Sequence, residues 1–367
     1  MKFKLLSKMG ICMCVMSLLT VNRVFATDSF VKREQSSLNS DVGITFEGSN
    51  EENTGGGGDQ IPSTSSVVLV SGEKYTDILT STVLAHEKNA SILLTQKNSI
   101  GQSTMDEINR LKANEIIIVG GEASVSKKVE DIINDYSENK KTNYIITRLA
   151  GIDRYETAVK VGDEVRKNTN ILGDSVLVDG TNFPDIIPLS TYAAQRRIPI
   201  LLTKPEEINP ITYETMYKWD ISNVTIGGGY NSVSKSIEKN LEDFDKKRLA
   251  GSDRYETAAV IGEETRKLTK NKTDLVLVNG TDFPDGITIN PLAAANGAPI
   301  LLTDPNKLTD TTRSKIKDWK IENLIIGGGY NSVSKEIQSK LSSLNIERIY
   351  GVDRYETAVK ISQRLRK

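Results

Sequence analysis

Three arginines occupy the same place in three copies of one motif, and an arginine repeated in this way is a candidate grip for an anion. Arg154, Arg254 and Arg354 lie in Arg-Leu-Ala-Gly-Ile-Asp-Arg-Tyr-Glu-Thr-Ala at 148–158, its near copy at 248–258, and Arg-Ile-Tyr-Gly-Val-Asp-Arg-Tyr-Glu-Thr-Ala at 348–358. The preceding aspartates, Asp153, Asp253 and Asp353, and the glutamates three residues on, Glu156, Glu256 and Glu356, have the spacing of a helix N-cap and its reciprocal partner. A helix therefore starts at each arginine, where a cation opposes the helix dipole. Each arginine needs a partner, either an internal carboxylate or an external anion, since guanidinium pairs bidentately with carboxylate and phosphate alike.

Glycine turns supply a second set of candidates. Ile226-Gly-Gly-Gly-Tyr-Asn-Ser-Val-Ser returns at 326–334, and Val119-Gly-Gly-Glu-Ala-Ser-Val-Ser is a form with a shorter glycine run. Free amides at a helix start can hold an anion. Gly121, Gly229 and Gly329, with Ser126, Ser234 and Ser334, therefore join the arginines as candidate polyanion contacts. The alternative is a tight turn capped by Ser232 or Ser234. A partial dinucleotide fingerprint across Gly227, Gly229 and Ser232 lacks its final glycine. Asp77, Asp185 and Asp285 follow the first apolar run of each copy; they are expected to cap the next helix, the other option being to hold the arginines.

Most catalytic arrangements are excluded by residue type. His86 is the single histidine, with Ala194 and Ala294 at its place in the other copies, and a surface position on a helix is expected. Cys12 and Cys14 are the only cysteines, and both lie in the first 26 residues. Cysteine–histidine dyads and multi-histidine metal sites have no candidates, so no metal and no cofactor is expected. No carboxylate pair is marked out for sugar hydrolysis. Three copies favour a binder, which gains from multiplicity, over an enzyme, which needs one site per domain.

The elements that position these residues follow from the apolar pattern. Brief apolar runs recur at 67–70, 175–178 and 275–278; at 92–94, 200–202 and 300–302; and at 116–119, 224–226 and 324–326. A weaker fourth run precedes each arginine motif. Short unbroken runs suit strands buried on both faces. Helical patterns lie between them, such as Val233, Ile237 and Leu241. Strands alternating with helices imply βαβ units and a parallel sheet. The fold class is therefore α/β, as three modules at 66–168, 169–268 and 269–367, each ending in the helix that carries its arginine motif, with no residues left for a catalytic domain.

The first 26 residues have a basic start, a mostly apolar stretch from Ile11 to Val21, and Val24-Phe25-Ala26 as a cleavage site, the pattern of an export signal. Residues 27–65 carry Gly55–Gly58 and few apolar side chains, the composition of a disordered linker or tail. No later apolar segment is long enough to span a membrane. The formal charge is −1, and removing the four positive charges of the leader leaves −5, so no global positive field drives polyanion binding, which must come from local arrangement, and no nucleic acid is expected.

Taken together, Asn-Gly-x-x-Phe-Pro-Asp, Pro-Ile-Leu-Leu-Thr, Gly-Gly-x-x-Ser-Val-Ser and Arg-x-x-Gly-x-Asp-Arg-Tyr-Glu-Thr-Ala resemble the cell wall binding repeat type 2 family of Gram-positive surface proteins, over about residues 66–367. The resemblance implies three Rossmann- or Toprim-like modules around a pseudo-threefold axis. It also implies non-covalent anchoring to an anionic secondary wall polymer, teichoic-acid-like or a phosphate-bearing polysaccharide, by a secreted protein at the cell surface. Members usually carry an effector domain, and here only the stretch at 27–65 is left for one. The first copy departs at Tyr75-Thr76 and Glu122-Ala123, which implies a weaker site. A surface-layer protein acting through protein–protein packing is the alternative, and a wall-modifying hydrolase the third.

Overall fold

The computed structural model describes residues 66–282 and 287–366. The expected export signal, the linker at 27–65 and Asp285 lie outside the described residues. The chain runs β1 (Ser66–Ser71), α1 (Tyr75–Glu87), β2 (Ser91–Thr95), α2 (Gln102–Arg110), β3 (Glu115–Val119), α3 (Lys127–Lys140), β4 (Ile145–Leu149) and α4 (Arg154–Thr169). It repeats this course as β5 (Asp174–Asp179), α5 (Ile186–Arg196), β6 (Ile200–Thr203), α6 (Pro210–Lys218), β7 (Asn223–Gly227), α7 (Lys235–Asn240), β8 (Asp245–Leu249) and α8 (Arg254–Thr269). The third course is β9 (Asp274–Asn279), α9 (Asn290–Ala295), β10 (Ile300–Thr303), α10 (Asp310–Asp318), β11 (Asn323–Gly327), α11 (Lys335–Lys340), β12 (Asn345–Ile349) and α12 (Arg354–Leu365).

Three four-stranded parallel sheets result, each with the first strand of its copy between the second and third, in the order β2-β1-β3-β4 and its two equivalents. The expected α/β fold is therefore present three times. The apolar runs are buried on both faces because helices cover both sides: all six residues of β1 are buried. Helix α1 is buried at ten consecutive positions, Thr76 to Ala85, which suits a helix enclosed on every side. It packs against α5 and α9, which also pack on each other. At that junction the Ser190 and Thr191 hydroxyls donate to Asn290 Oδ1 at 3.0 and 2.8 Å.

The helix that carries the arginine motif packs on the sheet that follows it. Helix α4 lies along β6, α8 along β10, and α12 returns to β2. Residue sizes match this cyclic exchange. A Cβ on Gly162 of α4 would sit 2.5 Å from Trp219, and one on Gly262 of α8 would sit 2.9 Å from Trp319. The first sheet has Leu111 where the others have tryptophan, and the helix that covers it carries Ser362 in place of glycine. Arg166 and Arg266 stack over the two tryptophans at 4.8 and 4.7 Å. On α12, the Ser362 hydroxyl donates to Glu107 Oε1 at 2.5 Å and shares a hydrogen bond with Ser91 Oγ at 2.8 Å, and Arg366 just beyond the helix donates to Asn89. The last helix thus completes the first sheet, and the three sheets close into a ring of interlocked units.

Candidate functional site

Each arginine motif begins with a built cap. Asp153 Oδ1 accepts from the amides of Tyr155 and Glu156, both at 2.9 Å, and Asp253 and Asp353 accept from Glu256 and Glu356. The glutamates reach back one residue beyond the cap: the Ile152, Ser252 and Val352 amides donate to Glu156, Glu256 and Glu356 at 2.7–2.8 Å. This hairpin leaves no room at the preceding glycine. A Cβ on Gly151 would lie 2.3 Å from that of Glu156.

The cap aims the arginine at the neighbouring sheet. Arg154 Nη1 donates to the Gly180 carbonyl at 2.6 Å, Arg254 Nη1 to Gly280 at 2.6 Å, and Arg354 Nη1 to Gly72 at 2.6 Å, across the ring closure. Each arginine is thus anchored on a backbone carbonyl of the next sheet, a partner not weighed above, while Arg154 and Arg254 also attract the carboxylates of Asp77 and Asp185. Tyr155, Tyr255 and Tyr355 press on the same three glycines, where a Cβ would come within 3.4, 3.0 and 2.8 Å of their rings. The motif is a clamp between neighbours. A charge-assisted bond satisfies a cation that the helix dipole alone would disfavour.

The glycine turn lies beside this clamp, at the carboxyl edge of each sheet. Gly120, Gly228 and Gly328 have φ of +113, +92 and +103°, the left-handed region open to glycine. The first copy has the same turn length as the others and is shorter only in its glycine count. Val119 stands where Gly227 yields room to Leu189, from which a Cβ would be 2.3 Å. Gly229 accepts from Ser232 and Val233 at 3.0 Å each, and Gly121 and Gly329 do the same in their copies. Among the described residues no acceptor takes the Gly229, Tyr230 or Asn231 amides. Ser234 and Ser334 cap the next helices, each hydroxyl accepting from Ile237 or Ile337 at 3.3 Å, while the Ser126 hydroxyl is buried without a partner.

Asp185 does not cap α5 with its side chain. It makes no cap bond and instead accepts from the Ser232 hydroxyl at 2.6 Å beneath Gly228. Burial pushes its carboxyl above the ordinary range, against the opposing pull of Ser232. Its counterpart Asp77 is buried under Gly120, and burial pushes it up to about 6, opposed by Ser124 and Arg154. A carboxyl that titrates at about 6 when folded and near 3.8 when unfolded holds an extra proton in the folded chain between those values. Stability therefore falls as pH rises through that window, by up to roughly 3 kcal/mol, and is flat above it. Asp77→Asn, which keeps an acceptor for Ser124, is expected to flatten this slope and raise the melting temperature at neutral pH. Thermal melts from pH 4 to 7 check this, and identical slopes in the two proteins would contradict it.

Turn, clamp and the loop after β5 together enclose a cleft of about 440 Å³ in the second copy, lined among others by Asn182, Asp185, Gly229, Tyr230, Asp253 and Arg254. Arg254 and Gly229, both expected at the site, meet here; Ser234 does not. Tyr230 was missed, because it follows three glycines and was absorbed into the turn. His86 is half-buried at the end of α1, one residue past its enclosed stretch, so the expected surface position holds only in part, and burial pushes its pKa down. Among the described residues no group of three or more His, Cys, Asp or Glu side chains could hold a metal ion, and no helix is long and apolar enough to cross a membrane.

The family model of cell wall binding domain 2 matches residues 39–130, 148–238 and 248–338. The second and third matches begin at the ends of β4 and β8, just before α4 and α8, and run into the sheets those helices cover. The chain is 30% identical over 279 residues to the N-acetylmuramoyl-L-alanine amidase LytC of Bacillus subtilis, covering 76% of this chain and 53% of the relative. It is 33% identical over 224 residues to the amidase enhancer of the same organism, covering 60% of this chain and 30% of that one. Among solved structures, Cwp6 from Clostridium difficile matches with a TM-score of 0.67 at 27% identity, over 78% of this chain and 45% of that chain. Cwp8 from the same organism matches with a TM-score of 0.64 at 27% identity, over 77% and 47%. The chain thus spans about half or less of the length of each of these proteins.

Proposed function

We propose that this chain, which belongs to the cell wall binding domain 2 family, holds to the cell wall by multivalent, non-covalent binding of an anionic secondary wall polymer. Family membership supports wall association itself. The choice of an anionic polymer rests on one observation: the same pairing of an arginine with a glycine turn recurs at the carboxyl edge of each sheet. In the second cleft Arg254 is held by its bond to Gly280, so its charge is fixed in place before any ligand arrives. Turn amides beside it, which meet no backbone acceptor among the described residues, add donors for phosphate or carboxylate oxygens. Parallel α/β sheets bind ligands at this edge.

We read the chain as a binder with no catalytic role of its own. The repeated polar residues are taken up by caps, clamps and turns, and the relatives with amidase names extend well beyond the matched region. Export through the segment at 1–26 and residence at the cell surface belong to the same reading. Retention on purified walls tests it. The protein should pellet with intact walls and stay in solution with walls stripped of their secondary polymer. Raising salt from about 50 to about 200 mM should weaken retention roughly 20- to 40-fold, as counterion release predicts for about three phosphate contacts. Equal retention on stripped walls would overturn the polymer assignment in favour of protein–protein packing in a surface layer.

A further inference from the structure

We propose that Tyr230 and Tyr330 are stacking platforms for the sugar rings of the wall polymer, so that the second and third copies read the glycan while the first does not. This rests on the reading that the clefts bind wall polymer. Both residues are 47% exposed. Tyr230 lines the cleft beside Asn182, Asn231 and Arg254.

Neither ring is a loose surface side chain. The Arg248 guanidinium lies 4.5 Å from the Tyr230 centroid, and Arg348 lies 4.4 Å from that of Tyr330. Those guanidiniums are themselves immobilised. Arg248 donates to the Gly228 and Val233 carbonyls at 2.6 and 3.0 Å and to Glu238 at 2.7 Å. Arg348 donates to Gly328 at 2.8 Å and to Gln338 at 2.8 Å. The rings are thus held at the rim by a cation that is itself fixed. In the third copy Tyr350, also exposed, stands 6.3 Å from Tyr330 and tilted to it by 54°, which extends the aromatic surface.

Folding of the turn does not need the ring. The first copy makes the same turn, with the Ser124 and Val125 amides donating to Gly121 at 2.8 and 3.0 Å. Arg148 still donates there to the Gly120 carbonyl at 2.7 Å, yet the ring position is Glu122 and the next is Ala123. A large, half-exposed aromatic that the turn can do without is free to serve something outside the fold. An aromatic face carries negative potential, and the C–H bonds on the flat side of a pyranose carry positive potential, so the two stack. Asn231 adds an amide able to bond sugar hydroxyls, and the exposed Lys235 ammonium, 5.0 Å from the Tyr230 centroid, can meet an anionic substituent. The ligand class is therefore an anionic polymer built of sugar rings rather than a chain of glycerol or ribitol phosphate without them. Glu122 at the corresponding place adds a repulsive charge to the first copy.

The test compares the full chain with Tyr230→Ala/Tyr330→Ala and Tyr230→Phe/Tyr330→Phe on intact purified walls, with melting temperature as the check on folding. The alanine pair should lose roughly tenfold or more in affinity with unchanged melting, and the phenylalanine pair should stay within about twofold of the parent. Glu122→Tyr should tighten binding. An alanine pair that melts like the parent and binds like it would overturn the stacking role while leaving wall binding intact. A phenylalanine pair as weak as the alanine pair would overturn it too, since the hydroxyl and not the ring would then carry the contact. A parent chain that ignores intact walls would overturn the polymer reading and this inference with it.

Discussion

Deleting residues 354–367 is expected to unfold the first sheet rather than trim a tail. Helix α12 is the last element of the chain, yet it covers β2 of the first sheet and buries Thr357, Ala358, Val359, Ile361 and Ser362. Val359 belongs to the apolar cluster that holds Val67, Leu93, Met105 and Ile118. Re-exposing Val359, Ile361 and the surfaces beneath them costs about 5 kcal/mol, comparable with the total stability of many domains. The deletion also removes Ser362 from the buried carboxylate of Glu107, which keeps only its pairing with Arg110 at 2.6 Å. Urea denaturation should show a large drop in midpoint, and hydrogen exchange should show protection lost across 66–119 while the second and third sheets keep theirs. An unchanged midpoint would mean that α12 does not close the ring.

The same closure explains what could and could not be seen in the sequence. The strands were legible because runs such as Val67–Val70 are buried on both faces and carry no polar interruption. The caps at Asp153, Asp253 and Asp353 were legible because the capping pattern is local, set by residues three apart. The sheet that each arginine helix covers was not legible, because chain order groups α4 with the strands before it, whereas α4 packs on α1 of its own copy and lies along β6 of the next. The signal was nevertheless present: Gly162 and Gly262 accompany Trp219 and Trp319 in the following copy, and Ser362 accompanies Leu111 at the other end of the chain. Reading it requires pairing residues across copies rather than within them.

The arginines were recognised as needing a partner, but a backbone carbonyl carries no sequence signature. The carbonyls of Gly180, Gly280 and Gly72 therefore could not be named in advance. Asp185 misled for a related reason. It stands at the N-terminal edge of α5, where an aspartate usually caps, but the tertiary contact with Ser232 takes its carboxylate instead. Tyr230 was hidden by its neighbours, since three glycines and a serine read as a turn whatever aromatic stands among them.

A ring that closes on itself also decides how joint binding must be examined, because a single repeat cut from the chain would lack the helix that its sheet receives from another copy. The clefts have to be probed in the intact protein, with ligand fragments short enough to fill one cleft. Linked weak sites can hold a polymer roughly 10²–10⁴ times more tightly than one site holds a fragment. The most direct measurement is the rate at which wall-bound protein is released as such fragments, cut from the wall polymer, are added in increasing concentration. The expected result is release that accelerates with fragment concentration, with each fragment bound at least about a hundredfold more weakly than the wall. Release at a constant rate, with one fragment bound per chain as tightly as the wall itself, would contradict the joint grip.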